Sequence, residues 1–352
     1  MVKIIKVSEL KGNEILARDI LTDNYRILIN AGEKIQTGQI DKLKEFGVLE
    51  VYIDSGENSL QEEEFTIFKV QTEELLKNKV KNILQKHTYG HTDVLREMTK
   101  VANKIIDEIM NIKEVQERVF DIKRKNGSLY DHLVTVCALS ILTGLKLDLS
   151  IEKLNDIAVG SLLHDIGMQY LNNKYLDRNI SDFSKEEEID FKKHTIFGYS
   201  VLSEEKWLSD ISKKIVLYHH EMTDGSGYPM HLKNIPLEIE IVNVCDTFDE
   251  MLCGIGYQKH KMHETIEYLK VYKNSKFKEK IVNTFLEFIA VFPAGTVVIT
   301  NEGETGIVIR QNKQFPDRPI LKIVKDKNGQ EKINNPVKDL LQENTVFIEE
   351  TL

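Results

Sequence analysis

The sequence predicts a mainly α-helical protein, in which a helical bundle is flanked by a small N-terminal α+β domain and a small C-terminal β domain. Between residues 65 and 290, apolar residues recur mainly three or four positions apart, which is the period of amphipathic helices. Before residue 54 and after residue 291, β-branched residues alternate in short runs. The predicted organisation is therefore an α+β domain (1–54), a polar linker (55–64), a helical domain (65–290) and a β domain (291–352).

The predicted N-terminal domain has three short strands and one helix. The strands are Lys3 to Val7, Arg26 to Asn30 and Leu49 to Asp54, where β-branched and polar residues alternate. The helix runs from Thr37 to Phe46, and Gly47 ends it. The domain is interpreted as a packing or dimerisation cap, with a ligand sensor as the alternative. A homodimer is expected if the two long helices between residues 65 and 112 form an intermolecular seam instead of facing each other.

Capping signals divide the helical domain. A helix is predicted from Ser128 to Leu147, and Asp148 to Ser150 cap the next helix, which ends at His164 and Asp165. Ser184 and Glu187 have the spacing of a capping box near the start of a predicted helix from Ser181 to Lys193. A further helix covers Ile211 to His220, and Pro236 is expected at the first position of the following one. Two more amphipathic helices are predicted to end near Ala290.

The C-terminal domain is predicted to be a small barrel-like or meandering β structure. Its strands are expected at Thr296 to Thr300, Gly306 to Arg310, Ile320 to Lys325 and Val346 to Ile348. Asn301 to Gly303 and Lys327 to Gly329 supply the turns. This domain carries no chemistry that the sequence reveals, and we interpret it as a module that covers the bundle.

Composition excludes several classes of function. The 352 residues are 41% hydrophobic and 29% charged, as in ordinary globular proteins. Early lysines argue against a signal peptide, and the longest uncharged stretch, 288–301, is too short for a membrane span. The three cysteines lack metal-type spacing and favour a reducing, cytoplasmic setting. A net charge of −9 argues against long nucleic acids as partners.

One apolar helix delivers adjacent histidine and aspartate residues, His164 and Asp165, to its buried end. A buried carboxylate is costly unless it meets positive charge, so this pair indicates either a metal site or a capped helix end with a hydrogen-bonded histidine. The neighbouring helical segments each supply further ligand types: His132, His194, His219, His220 and Asp246. Because adjacent residues lie about 100° apart on a helix, His219 and His220 cannot share one apolar stripe. Two metals would use both histidines as ligands.

The loop Thr223 to Pro229 follows the histidine pair and contains the order Asp-Gly-x-Gly-Tyr-Pro. Together with His164 and Asp165, this loop resembles the HD-GYP family of metal-dependent phosphohydrolases, which cleave the bacterial messenger cyclic di-GMP. The resemblance covers roughly residues 66 to 290. It includes the first histidine, the HDIG core, the later lone histidine, the HHE triplet, the loop and the closing aspartate, in that order.

The resemblance implies an HD-type bundle that holds two divalent transition metals, with iron favoured and manganese as the alternative. The implied ligands are His132, His164, Asp165, His194, His219, His220 and Asp246. Asp165 would bridge the metals, with His132, His164 and Asp246 serving one and the other three histidines serving the second. His164 and Asp165 are the implied catalytic pair. A metal-bridging hydroxide would attack phosphorus, and the products would be pGpG and then GMP.

The same resemblance assigns Asp224, Gly225, Gly227 and Tyr228 to the substrate and not to the metals. The glycines would let the backbone approach a phosphate, and Tyr228 would stack or hydrogen-bond on the nucleotide. An ordinary turn with a packed tyrosine fits the same residues.

Four positions depart from the family pattern. Met168 stands where a phosphate-binding lysine is common, and Ile255 and Gln258 stand where an arginine and a lysine usually assist. Ser128 stands where some members have an acidic ligand for a third metal, so two metals are expected. The partner is expected to be a cyclic dinucleotide, cyclic di-GMP first. Two alternatives are hydrolysis of another cyclic dinucleotide or phosphoester, and a regulator that binds a nucleotide or a protein without turnover.

Overall fold

A computed structural model describes residues 2–16, 20–21, 27–29, 33–45, 48, 50–54, 66–90, 92–122, 128–171, 182–254, 259–332 and 336–351. The chain divides into two compact units, residues 1–64 and 65–352. The predicted linker, 55–64, belongs to the first unit, but its residues are not among those described. The mainly helical fold class with flanking β structure is confirmed.

The described residues of the first unit form five short strands and one α-helix. They are β1 (Val2–Lys6), β2 (Ile15–Leu16), β3 (Ile20–Leu21), β4 (Ile27–Ile29), α1 (Thr37–Glu45) and β5 (Glu50–Asp54). β5 lies between β1 and β2 in an antiparallel sheet, and β3 pairs with β4. Ile35, Leu43 and Val51 are in its buried core. Strands β2 and β3 were not predicted, because a strand of two residues is too short to show an alternating pattern.

Ten α-helices lie in the described residues of the second unit before its strands. They are α2 (Val70–Thr88), α3 (Met98–Met110), α4 (Leu129–Lys146), α5 (Ile151–Leu163), α6 (Lys185–Lys192), α7 (His194–Leu202), α8 (Asp210–Tyr218), α9 (Leu237–Cys253), α10 (Met262–Tyr272) and α11 (Glu279–Leu286). The apolar faces of α2 and α3 pack into the same core as α4 and α5. These two faces thus have packing partners within the chain. The homodimer stays a prediction.

Helix α4 is the central helix of the bundle. It packs against α2, α3, α5, α9 and α11. Within the described residues it is the one helix long and apolar enough to cross a membrane, and 72% of that window is buried inside the unit. Its hydrophobicity is that of a core helix, because residues on nearly all its faces, from Leu133 to Leu142, are buried.

Side-chain caps explain where the ligand-bearing helices begin. Ser128 Oγ accepts a hydrogen bond from Asp131 N (3.2 Å), and Ser184 and Glu187 form the predicted capping box. Several predicted boundaries are wrong. The helix expected over Ser181 to Lys193 runs from Lys185 to Lys192, so that His194 begins α7. The helix expected to end at His220 ends at Tyr218, and Pro236 is the residue before α9 instead of its first residue. A break at Lys193 redirects the chain and turns His194 inwards.

The C-terminal sheet is antiparallel, in the order β10-β6-β7-β8-β9. The strands are β6 (Val297–Thr300), β7 (Thr305–Asn312), β8 (Phe315–Lys325), β9 (Val337–Asp339) and β10 (Ile348–Thr351). The prediction missed β9, and it placed the last strand two residues early because Val346 is buried by the core and not by strand pairing. Gln311 Nε2 on β7 donates to Asp121 Oδ1 (2.9 Å), which ties the sheet to the bundle.

Candidate metal centre

Five helices bring the seven predicted ligands to one buried point. His132 lies in the first turn of α4, His164 and Asp165 follow α5, His194 begins α7, His219 and His220 follow α8, and Asp246 lies in the middle of α9. All seven are at most 6% exposed. Polar side chains are rarely buried so completely unless they are paired or bind an ion, so this cluster is the strongest candidate for chemistry among the described residues.

The first half of the cluster joins α4, α5 and α9. His132 Nε2 lies 3.2 Å from His164 Nε2 and 3.0 Å from Asp246 Oδ1. His164 Nε2 lies 3.2 Å from the same carboxylate oxygen. These three atoms form a triangle with sides typical of ligands that share one cation, because two ligands about 2.1 Å from an ion stand roughly 3.0–3.4 Å apart.

The second half of the cluster joins α7 and the end of α8. His194 Nε2 lies 3.2 Å from His219 Nε2, and these nitrogens lie 3.4 Å and 3.7 Å from Asp165 Oδ1. His220 completes this group of possible ligands, and its ring stands 4.2 Å from that of His219, centroid to centroid. Four possible ligands, three imidazoles and one carboxylate, therefore surround a second point.

Asp165 lies between the two halves. Its Oδ1 faces His194 and His219, whereas its Oδ2 lies 3.6 Å from His164 Nε2 and 3.8 Å from His132 Nε2. A carboxylate that presents one oxygen to each of two ligand groups has the arrangement of a bridging ligand. The bridging role assigned from the resemblance stays a prediction, and this geometry is the reason to test it.

Hydrogen bonds determine which ring nitrogen faces the cluster. His164, His194 and His219 place Nδ1 against the backbone carbonyls of Ser161 (2.7 Å), Phe191 (2.9 Å) and Val216 (3.0 Å), respectively. A carbonyl oxygen can only accept, so each Nδ1 must carry the proton. Each Nε2 then presents a lone pair to the cluster, as in metal-ligating histidines.

His132 is oriented by a carboxylate instead. Its Nδ1 lies 2.7 Å from Oδ2 of Asp249, which follows Asp246 on α9 by three residues. Asp249 was not among the residues predicted from the sequence, although its spacing from Asp246 places both carboxylates on one face of a helix. Carboxylates in this position raise the basicity of the ligand and hold its ring.

The electrostatics of the cluster favour bound cations. Burial lowers the pKa of His194 to about 4 and that of His220 well below its ordinary value, so both rings are in the neutral form that binds metals. Burial raises the pKa of Asp246, but the neighbouring His164 and His132 more than offset this and leave it well below its ordinary value. Burial lowers the pKa of His132, but the carboxylates of Asp246 and Asp249 more than offset this and raise it well above its ordinary value. The buried carboxylates thus draw positive charge into this half of the centre, which a bound cation can supply.

The residues fit a pair of divalent transition metals. Neither carboxylate oxygen of Asp246 has a hydrogen-bond partner among the described residues, although the side chain is 1% exposed. Lone pairs of neighbouring Nε2 atoms also face each other at 3.2 Å and repel unless positive charge lies between them. Imidazole and carboxylate together suit iron, manganese or zinc.

The loop after the histidine pair packs on the ligands. Tyr228 stacks on His220, with ring centroids 4.7 Å apart and planes at 24°, so one face of the tyrosine is already occupied. Asp224 Oδ1 accepts from Ser226 N (2.8 Å) and so closes the turn, in which Gly225 has φ +83°. The proposed substrate contacts of these residues are not tested by this geometry.

Gly227 lies against the backbone of the ligand segment. A Cβ at this position would overlap His220 O and Met222 N, and Tyr228 N donates to His220 O (3.1 Å). Buried Glu221 holds the other side of the loop, because its carboxylate accepts from Met230 N (2.5 Å) and Leu232 N (2.8 Å). The loop thus fixes the position of His220, a role that the sequence analysis did not predict.

We expect Gly227→Ala to remove metal, since the new methyl group must push His220 from its place. Overpacking of this kind costs about 1–3 kcal/mol of unfolding free energy. Gly225→Ala is the matched control: its methyl would meet the flexible Lys233 side chain, and the positive φ costs only about 1 kcal/mol. Elemental analysis of both variants is the measurement. Normal metal content in Gly227→Ala, with weaker nucleotide binding alone, would support the substrate role predicted from sequence.

The departures from the family pattern have different surroundings. Met168 is 6% exposed and packs with Leu171 and Phe191 in a small apolar cluster. Ser128 caps α4 and donates from Oγ to Asp131 Oδ2 (2.6 Å). Ile255 and Gln258 lie outside the described residues. A cation that sequence reasoning missed is Lys192, whose Nζ lies 5.3 Å from the centroid of the Tyr228 ring.

Comparison with known proteins agrees with this arrangement. Residues 90–281, over half of the chain, match the profile of the HD domain. The chain belongs to the HD-domain family. Residues 297–352 match a KOW domain associated with HD domains, which covers the C-terminal sheet.

Among curated proteins, this HD-domain chain is 27% identical to the cyclic di-GMP phosphodiesterase PA4108 of Pseudomonas aeruginosa over 252 residues, 69% of this chain and 60% of that protein. It is 26% identical to the 3'3'-cGAMP-specific phosphodiesterase 2 of Vibrio cholerae over 213 residues, 58% of this chain and 39% of that protein. The chain thus spans 60% or less of these relatives. These matches confirm the HD-GYP resemblance.

Among solved structures, the chain resembles Bd1817, an HDG"Y"P protein from Bdellovibrio bacteriovorus. The TM-score is 0.48 at 20% sequence identity, and the match covers 81% of this chain and 98% of that one.

Proposed function

We propose that this protein is a metal-dependent phosphodiesterase that hydrolyses a cyclic dinucleotide, with cyclic di-GMP as the first candidate and pGpG and then GMP as products. The observation that supports this most directly is Asp165, whose two oxygens face two separate groups of imidazoles. The curated relatives that act on cyclic dinucleotides support the substrate class. The free, buried cysteines support a cytoplasmic location.

We propose His132, His164 and Asp246 as ligands of one divalent cation and His194, His219 and His220 as ligands of the other, with Asp165 shared. Iron is our first choice and manganese the second, because both accept mixed imidazole and carboxylate ligands. When bound, two such ions lower the pKa of water and neutralise charge that develops at phosphorus.

The protein's own residues have two tasks in this proposal. The carbonyls of Ser161, Phe191 and Val216, and the carboxylate of Asp249, hold the ligand rings so that no ring has to reorient during the reaction. His220 and Asp165 are the most exposed of the seven ligands, at 6% and 4%. The substrate is therefore expected to approach on their side, where Tyr228 and Lys192 also lie.

The direct test is a hydrolysis assay on the full chain after anaerobic loading with Fe²⁺ or Mn²⁺. Cyclic di-GMP, 3'3'-cGAMP and cyclic di-AMP are supplied separately, and products are separated by chromatography. We expect pGpG followed by GMP from cyclic di-GMP. Metal-loaded protein that cleaves none of the three would overturn the enzymatic proposal and favour a regulator that binds without turnover.

A second candidate is preference for another cyclic dinucleotide, such as 3'3'-cGAMP. Met168 is buried in an apolar cluster and offers no charge to the phosphates of either dinucleotide, so other groups must determine the preference. One of the relatives is named for 3'3'-cGAMP. The same assay distinguishes the candidates, because a higher kcat/KM for 3'3'-cGAMP than for cyclic di-GMP would assign the preference.

A further inference from the structure

Glu250 is a buried carboxylate that neither metal group uses. It lies on α9, one helical turn after Asp246, so that the two side chains share a face of the helix. It is 3% exposed, and its Oε2 accepts no hydrogen bond from the described part of the chain. An ionised carboxylate in this state is costly, so the side chain either keeps its proton or meets a cation.

Glu250 lies within a third group of possible ligands. One ligand atom each from His220, Asp246 and Glu250 lie within 4.8 Å of one another, and all three residues are buried. Nδ1 of His220 is 3.7 Å from Asp246 Oδ2, the carboxylate oxygen that does not face His132 and His164. Both Asp246 oxygens also lack hydrogen-bond partners in the described residues. Unpartnered oxygens of two side chains therefore converge at this point.

Lysine and arginine side chains of the described residues do not neutralise this group. Among the described lysines and arginines, none forms an ion pair with Glu250 or Asp246, whereas buried Glu240 on the same helix pairs with Lys278 at 2.8 Å. Two carboxylates one turn apart on a buried helix face repel each other unless one is protonated or a cation lies between them.

We propose that His220, Asp246 and Glu250 hold a third divalent cation beside the two of the proposed function. The inference rests on that function because His220 and Asp246 are shared with the other two groups. A third cation adds positive charge to the centre, and this charge attracts the two phosphodiester groups of a cyclic dinucleotide where Met168 provides none.

The test counts metal in the full chain loaded anaerobically with Mn²⁺ alone. We expect about three ions per chain in the unmodified protein and about two in Glu250→Gln, which keeps the shape of the side chain and removes its charge. Glu240→Gln is the matched control, a buried glutamate of α9 outside the cluster, and should retain three. Crystals of the loaded protein should show an anomalous scattering peak between the side chains of Asp246 and Glu250, and this second measurement does not depend on a variant that folds.

Two outcomes overturn the proposal in distinguishable ways. Two ions per chain in both the unmodified protein and Glu250→Gln, with no anomalous peak beside Glu250, would leave the two-metal function intact and show that Glu250 is simply a buried protonated acid. Fewer than two ions in the unmodified protein would remove the two-metal centre as well.

Discussion

Asp165→Asn is expected to have the largest effect of any single substitution in this protein. The change keeps the size of the side chain but removes the charge that faces both ligand groups, His164 with His132 on one side and His194 with His219 on the other. We expect metal content to fall below one ion per chain. Hydrolysis should decrease by about 10³-fold or more, which corresponds to roughly 4 kcal/mol of transition-state stabilisation.

Asp249→Asn is the matched control for this experiment. Asp249 orients His132 through Nδ1 but belongs to neither proposed ligand group, so its loss should weaken metal binding by about 10–100-fold without abolishing it. Equilibrium titration with Mn²⁺ and the rate of cyclic di-GMP cleavage are measured for both variants. An Asp165→Asn protein that keeps both ions and full activity would contradict the bridging assignment.

Removal of the metals should lower the melting temperature strongly. A ligand that binds only the folded state stabilises it by about 2.7 kcal/mol when present at 100 times its Kd, so two such ions contribute about 5 kcal/mol. For a unit of this size, roughly 2–4 °C of melting temperature accompany each kcal/mol. A chelator should therefore lower the transition by about 10 °C or more, and added Mn²⁺ should restore it.

Calorimetry of the unmodified protein and of Asp165→Asn, each with and without chelator, tests this expectation. The variant should respond much less to the chelator, because it has already lost the shared ligand. A transition of the unmodified protein that is unchanged by the chelator would contradict a metal-dependent core. Equal responses in the two proteins would place the stabilising ions elsewhere.

The sequence by itself predicted the helical class, because a period of three to four residues sustained over 65–290 has few other structural solutions. It also predicted the seven residues that meet in the cluster, since consecutive helical segments each carry a histidine or an aspartate and these residues occur in the order of the family's motifs. Capping chemistry is local, so Ser128, Ser150 and Ser184 could be recognised as helix starts without knowledge of the fold.

The tertiary structure decided what depends on contacts between distant segments. Which oxygen of Asp165 faces which histidines follows from the packing of α4, α5, α7, α8 and α9, and no local pattern encodes it. In the sequence, Asp249 and Glu250 are ordinary charged residues near the end of a helix. Only the structure shows that they are buried and that His132 and His220 lie close to them. The sequence indicated that Gly227 is a flexible position in a substrate-binding loop. Only its close approach to the backbone of His220 shows that it helps to position that metal ligand. The chemistry of the side chains can thus be recognised from the sequence alone. Proximity between residues over a hundred positions apart, in contrast, is determined by the packing of the whole bundle.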